Sequence, residues 1–477
     1  MISFLLCLAA LIAGYFVYGK VVEKIFGIDP DRKTPAYAQQ DGVDFVPLKP
    51  WRIFLIQVLN IAGLGPIYGA VMGALFGTAS FLWIVLGCIF AGAVHDFFSG
   101  MMSIRHDGKS ISEITGQYLG GGMRQVMRVF SVVLLILVGT VFMAGPAGIL
   151  ANLGLTGIFA NKWFWLALIL VYYFVATILP IDKIIARLYP VFGVVLLIMA
   201  VGVGAMLFIG GYSIPEISLT NVHPKGLSFF PMLFITIACG AISGFHATQS
   251  PIMARCLPNE RMGRPVFYGA MIAEGIIALI WAAASVTFFG GIEGLAATVG
   301  QGGAGLVVKE ISVGLLGTVG GLLAMLGVVA CPISSGDTAF RSARLTIADS
   351  MNMKQDNIMN RLMVAIPLFA IGFVLNFVDF SIIWRYFAWS NQTLATIVLW
   401  TAAVYLLKSG KFHWIATIPA TFMSAVVTTY ILQAPEGFKL SPSISQPVGI
   451  VIAVVLFAVF IVFSQKNKSA EAAPAAS

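Results

Sequence analysis

Apolar runs close to 20 residues long alternate along this chain with short segments rich in Lys, Arg, Gly and Pro. They fall at about 2–19, 53–77, 79–100, 129–151, 163–180, 190–212, 229–250, 266–290, 313–335, 362–378, 384–407, 413–432 and 448–464. At 1.5 Å of rise per residue each is long enough to cross ~30 Å of hydrocarbon. The pattern predicts an all-α polytopic membrane protein of about thirteen spans, numbered here in chain order. The first run follows the initial Met with no basic region before it and no small-residue cleavage site after it, so it reads as a retained helix.

Composition agrees, with 59% hydrophobic and 10% charged residues. The net charge of +8 is a matter of topology and not of nucleic-acid binding, because the cations cluster between spans. If the N-terminus is outside, all but five of the 28 Lys and Arg residues (Lys162, Lys225, Lys309, Arg385 and Lys439) fall on the inner side. This imbalance predicts an outside N-terminus and an inside C-terminus. The five cysteines lie in or beside apolar runs without metal-ligand spacing, which predicts neither disulfides nor a metal site. The polar tail 465–477 reads as disordered.

Two spans carry interruptions. Span two, IFLIQVLNIAGLGPIYGAVMGALFG, holds Gln57, Asn60 and a Gly63-Leu64-Gly65-Pro66 break, where glycine relaxes the backbone and proline removes a donor. Span seven contains IACGAISGFHATQSP, with a predicted break over 240–251 that includes Gly240, Ser243, Gly244, His246, Thr248 and Gln249. The two are five spans apart and run in opposite directions, the signature of inverted repeats. The arrangement resembles the LeuT-like architecture of the amino acid/polyamine/organocation superfamily, with its 5+5 core. Residues 53–212 and 213–407 would be the two repeats, 1–52 a peripheral helix and loop, and 408–464 two further peripheral helices.

Polar residues inside such spans mark candidate chemistry. Asn60, Gly63, Gly65, Ser243, His246, Thr248 and Gln249 surround the breaks and are the candidate substrate contacts. The end of span nine, ACPISSGDTAFRSARLTIAD, offers Ser334, Ser335, Asp337 and Thr338 either as cation ligands or as helix caps, with Arg341 and Arg344 facing the lipid surface. Glu274, two turns into span eight, and His246 are candidates for proton coupling. The mixed charges of VHDFFSGMMSIRHDGKSISEITG place Asp96 near the inner mouth as a gate or structural ion pair. Arg385, beside Asn391 and Gln392 at the outer end of span eleven, could orient a carboxylate or simply snorkel to lipid headgroups.

The segments IAGLGPIYGA, VHDFFSGMMSIRHDG, SGFHATQSPIMARC, SSGDTAFRSARLTIAD and WRYFAWSNQTLA together resemble the carbon starvation protein A (CstA) family. The resemblance implies secondary active import of small peptides, or of pyruvate, across the cytoplasmic (inner) membrane under carbon limitation. It implies alternating access driven by H+ or Na+, with no cofactor. The lysine that replaces sodium in some proton-driven LeuT-like transporters has no counterpart in span six, Val191 to Tyr212. An enzyme finds little support, since the spans carry no G-x-S-x-G or H-E-x-x-H pattern. A channel or a sensor is disfavoured by the paired breaks and by the shortness of the longest inner loop, residues 20–52. Oligomeric state is not encoded in any motif.

Overall fold

The computed structural model describes residues 1–472 apart from 43, 152, 154, 155, 179, 180 and 356. Helices occupy all thirteen expected positions. Among the described residues nine are long and apolar enough to cross a membrane alone, and Pro50–Ala62 with Gly65–Phe76 forms a tenth span bent by 46°. Lys162–Ile178 is a shorter apolar helix in the position of span five. Spans seven and eleven (Phe380–Lys408) complete the set. The chain is a multi-pass membrane protein.

Burial separates core from periphery. In spans three (Ala79–Arg105) and eight (Glu260–Phe288), 83% and 78% of the most apolar stretch is buried, against 28% in span one (Ile2–Phe26) and 22% in span thirteen (Pro442–Gln465). The outer pair therefore presents its side chains to lipid. The last helix extends to Ala472, into the stretch expected to be disordered, and 473–477 lie outside the described residues.

Both breaks are present. Gly63 has φ +47°, a left-handed conformation that favours glycine, and a Cβ there would overlap the Phe142 ring. In span seven the helix stops at Thr236 and resumes at Gly244, running to Ala254. The break is thus earlier and shorter than 240–251: Thr248, Gln249 and Pro251 are helical. Helix resumes at Gly244 because the Asn391 side chain accepts from the Phe245 amide at 2.6 Å and so caps it.

The two breaks touch through small residues. Gly65, Gly69 and Gly73, four apart and hence on one face, lie against Cys239, the Thr236 carbonyl and Ile237. Across the same contact Gly240, at φ +92°, lies against Pro66 and Ala278. Span three joins this centre through Gly92, where a Cβ would overlap the Ala241 carbonyl.

Span nine differs from expectation. Helix is unbroken in φ/ψ from Thr318 to Ser350, so Ser334 to Thr338 lie mid-helix and not at its end. Arg341 and Arg344 are buried. Arg341 donates to Ala176 O (2.8 Å) and Arg361 to Ile178 O (3.2 Å). These guanidinium groups satisfy the last carbonyls of span five, which hydrocarbon would leave bare.

Residues 27–42 and 44–49 form a strap across the ends of spans three, seven and eight, and this face is called the strap end below. Asp29 N donates to Glu260 at 2.7 Å, Asn259 to Pro30 O at 2.6 Å, and Leu48 N to Cys256 O at 3.1 Å. Buried Glu260 also receives Arg105 through paired bonds of 2.5 and 2.7 Å. Burial pushes the Cys256 thiol up to about 12.

Two outcomes follow from this packing. Because a thiol at about 12 is almost wholly protonated near pH 8, Cys256 should label slowly with maleimide, and deleting residues 30–48 should speed labelling at least tenfold by mass spectrometry. Gly65→Val should abolish a monodisperse folded species on size-exclusion chromatography, since its side chain would need the space of Cys239. Gly148→Ala, with nothing within 4 Å of its Cβ position, should not.

Candidate functional site

The polar centre is built from spans two, three, seven, eight, nine and eleven. Breaking span seven leaves main-chain groups unpaired in a region without water, where each costs several kcal/mol. Span eleven and span three supply their partners. Gln392 donates to Phe234 O, and the Trp83 indole donates to Ile237 O at 3.0 Å. Asn391 accepts from the Phe245 amide and exchanges hydrogen bonds with Ser243 Oγ (3.0 and 3.1 Å). Asn391 and Gln392 therefore hold the break together and do not stand with Arg385. Arg385 pairs instead with Glu436 at 3.2 Å, which Tyr430 also contacts at 2.6 Å, so its charge is already met.

Beside the break lies a buried chain of ionisable groups. Asp96 is not at a mouth: it is fully buried in span three and reaches His246 Nδ1 at 2.8 Å, while its other oxygen meets His95 Nδ1 at 2.8 Å. His246 turns Nε2 toward Glu274 of span eight at 3.3 Å. That contact is close enough for charge pairing but off the line of a good hydrogen bond, and the Gly240 amide of the break is the main-chain donor that faces the Glu274 carboxylate. Cys239 also lies nearby, its Sγ within 4.8 Å of donor atoms of His246 and Glu274. Its sulfur is engaged by Ser243 and Asn391, at 3.4 and 3.5 Å, and the group reads as a hydrogen-bonded cluster.

The serines of span nine form a second polar group. Ser335 Oγ donates to Leu59 O at 2.9 Å, in the last turn before the span two break. Ser334 and Thr338 bond within their own helix, to Cys331 O (2.7 Å) and Ser335 O (3.0 Å). Asp337 sits apart from Glu274 and accepts from Tyr189 OH at 2.8 Å. Asn60, one residue beyond Leu59, is fully buried with both side-chain amide atoms unpartnered among the described residues.

Thr248 and Gln249 face the strap end. Thr248 donates to Phe245 O at 2.6 Å, and Gln249 to Ser342 at 3.2 Å. Thr248 and Ser342 line a cleft with Arg255 and Asp349.

Of the candidate residues, the structure thus brings Asp96, His246 and Glu274 together, and Ser335 with the span two break. It separates Asp337 and Arg385 from both. Sequence reading did not find the Asp96–His246 contact, the capping by Asn391 or the role of Trp83, all of which join residues more than 140 positions apart.

The sequence profile of the carbon starvation protein CstA family matches residues 1–157 and 147–297. The chain belongs to that family. An uncharacterised membrane protein of Haemophilus influenzae is 43% identical, over 61% of this chain and 91% of the relative. The peptide transporter CstA of Campylobacter jejuni is 27% identical, over 91% of this chain and 80% of its own length. Among solved structures, MhsT in complex with L-phenylalanine superposes with a TM-score of 0.53 at 18% identity, covering 84% of this chain and 97% of the other. This CstA-family chain therefore has a LeuT-like fold.

For this CstA-family site, Asn391→Ala would strip the Phe245 amide and the Ser243 hydroxyl of their partner. A cost of about 1–3 kcal/mol is expected for such buried orphans. Differential scanning fluorimetry of the detergent-purified protein should show a clear fall in melting temperature. An unchanged melting temperature would show that the break does not depend on this cap.

Proposed function

We propose that this protein imports short peptides across the cytoplasmic membrane by alternating access, driven by a cation gradient. The N-terminus is outside and the strap end faces the cytoplasm. One observation carries the reading: the breaks of spans two and seven face each other in the buried centre, beside an Asn60 whose amide has no partner among the described residues. A helix starting at Gly65 directs its amide end toward this centre, an environment suited to a carboxylate. Asn60 supplies both a donor and an acceptor, which suits a peptide main chain.

Further support comes from the relative in Campylobacter jejuni, named a peptide transporter and aligned over most of both chains. The reading treats the protein as a carrier that releases its substrate chemically unchanged, in cells limited for carbon.

Counterflow in proteoliposomes tests it. Labelled di- or tripeptide should exchange against unlabelled peptide trapped inside and be recovered intact. Asn60→Ala should lower uptake more than tenfold while leaving the melting temperature within a few degrees. Exchange of pyruvate but of no peptide would overturn the peptide assignment.

A further inference from the structure

We propose that Asp96, His246 and Glu274 form the binding site of the coupling proton, reached along the face of span eight that carries Trp281 and Ser285. This rests on the transport reading above and names the ion that drives it.

Hydrogen placement in the cluster follows from its contacts. The two oxygens of Asp96 face His95 Nδ1 and His246 Nδ1, each at 2.8 Å. A carboxylate accepts both bonds when each ring nitrogen carries its hydrogen. His246 is then fixed with Nε2 free to bind a further proton. Glu274 lies across from Nε2 at 3.3 Å. A lone pair facing a carboxylate at that distance in a dry interior is repulsive. One proton shared by Nε2 and Glu274 removes the repulsion and reduces the cluster from two net negative charges to one.

Other ionisable groups near Glu274 do not compensate it. They are the thiols of Cys88 from span three, Cys239 from the break and Cys331 from span nine, and neither Lys nor Arg is among its described charged neighbours. The cation that meets Glu274 has to be one that comes and goes.

Polar side chains on one face of span eight give the direction of entry. Residues 274, 281 and 285 share a helical face, spaced by seven and eleven. Trp281 Nε1 and Ser285 Oγ are fully buried and have no hydrogen-bond partner among the described residues. Buried polar atoms are rarely left so, and these two can engage a proton-carrying partner when the packing around span eight opens. The face extends about 17 Å from Glu274 to Ser285, roughly half the membrane, toward the end opposite the strap. Ala278, on the same side, lies against Gly240, so this face borders the break. The proton enters from that side, is shared by Glu274 and His246, and leaves to water at the strap end when the halves around the break rearrange. No bond other than to hydrogen is made or broken.

Proteoliposomes with an imposed pH gradient, acidic outside, give the first test. Wild type should accumulate peptide above equilibrium, while E274Q should lose at least tenfold of that accumulation yet keep no less than a third of counterflow exchange. Glu274→Asp should restore part of the accumulation. Retained accumulation in E274Q, or wild-type accumulation driven by sodium at uniform pH and not by a pH gradient, would overturn the proposal. Infrared difference spectra of substrate-free protein between pH 5 and pH 8 give the second. Wild type should show a carboxyl band that E274Q removes and D96N shifts. A wild-type protein without that band overturns the proton site. A band that is present in a protein transporting no peptide instead supports the site and counts against the substrate reading.

Discussion

An interrupted helix inside hydrocarbon must have its bare amides and carbonyls answered by something, and the fold around span seven is arranged to answer them. Hydrogen bonds from Trp83 and Gln392 and the cap from Asn391 occupy main-chain groups between Phe234 and Phe245. These three side chains come from spans three and eleven, far apart in sequence. Their positions fix how both spans dock, and the glycine face of span two can then approach the break closely enough to exclude side chains. Polarity at the centre is thus first a structural requirement, and the chemistry is built on what that requirement exposes.

Two kinds of polar group result, and they differ in what holds them. The Ser335–Leu59 contact joins span nine to a carbonyl of span two at the edge of its break, so it changes if those spans move relative to one another. The Asp96–His246–Glu274 chain joins spans three, seven and eight, which also meet through Gly92 against Ala241 and Gly240 against Ala278. Tight backbone approaches of this kind leave little freedom, so this cluster moves as one body with the break.

Much of the fold was legible in the sequence because bilayer thickness forces a length on every span and basic residues punctuate them. The breaks were legible too, since Gly63, Pro66 and Gly240 violate what an uninterrupted span would carry. Where reading failed, the reason was long-range partnership. Asp96 lies near a charged loop in sequence, which placed it at a mouth, but helical geometry carries it inward to His246. Span nine was ended early because Asp337, Arg341 and Arg344 look incompatible with hydrocarbon. Tyr189 and the open carbonyl end of span five make Asp337 and Arg341 compatible. Arg385 looked available only because Glu436 stands 51 positions away.

The same logic distinguishes residues that hold from residues that wait. Asn391 has every strong bonding position used, and so does the carboxylate of Asp96. Asn60 and Glu274 are equally buried, but neither amide atom of Asn60 has a partner among the described residues, and Glu274 is met only by the Gly240 amide and the edge of the His246 ring. Evenly satisfied interiors cost less, so groups left open at the meeting point of two broken helices imply occupants supplied from outside the chain. Asn60 lies beside the span two break and Glu274 beside that of span seven. The proposed carrier, with one hydrogen-bonding and one cationic occupant, would fill both positions, and both lie beside the paired breaks whose rearrangement would link them.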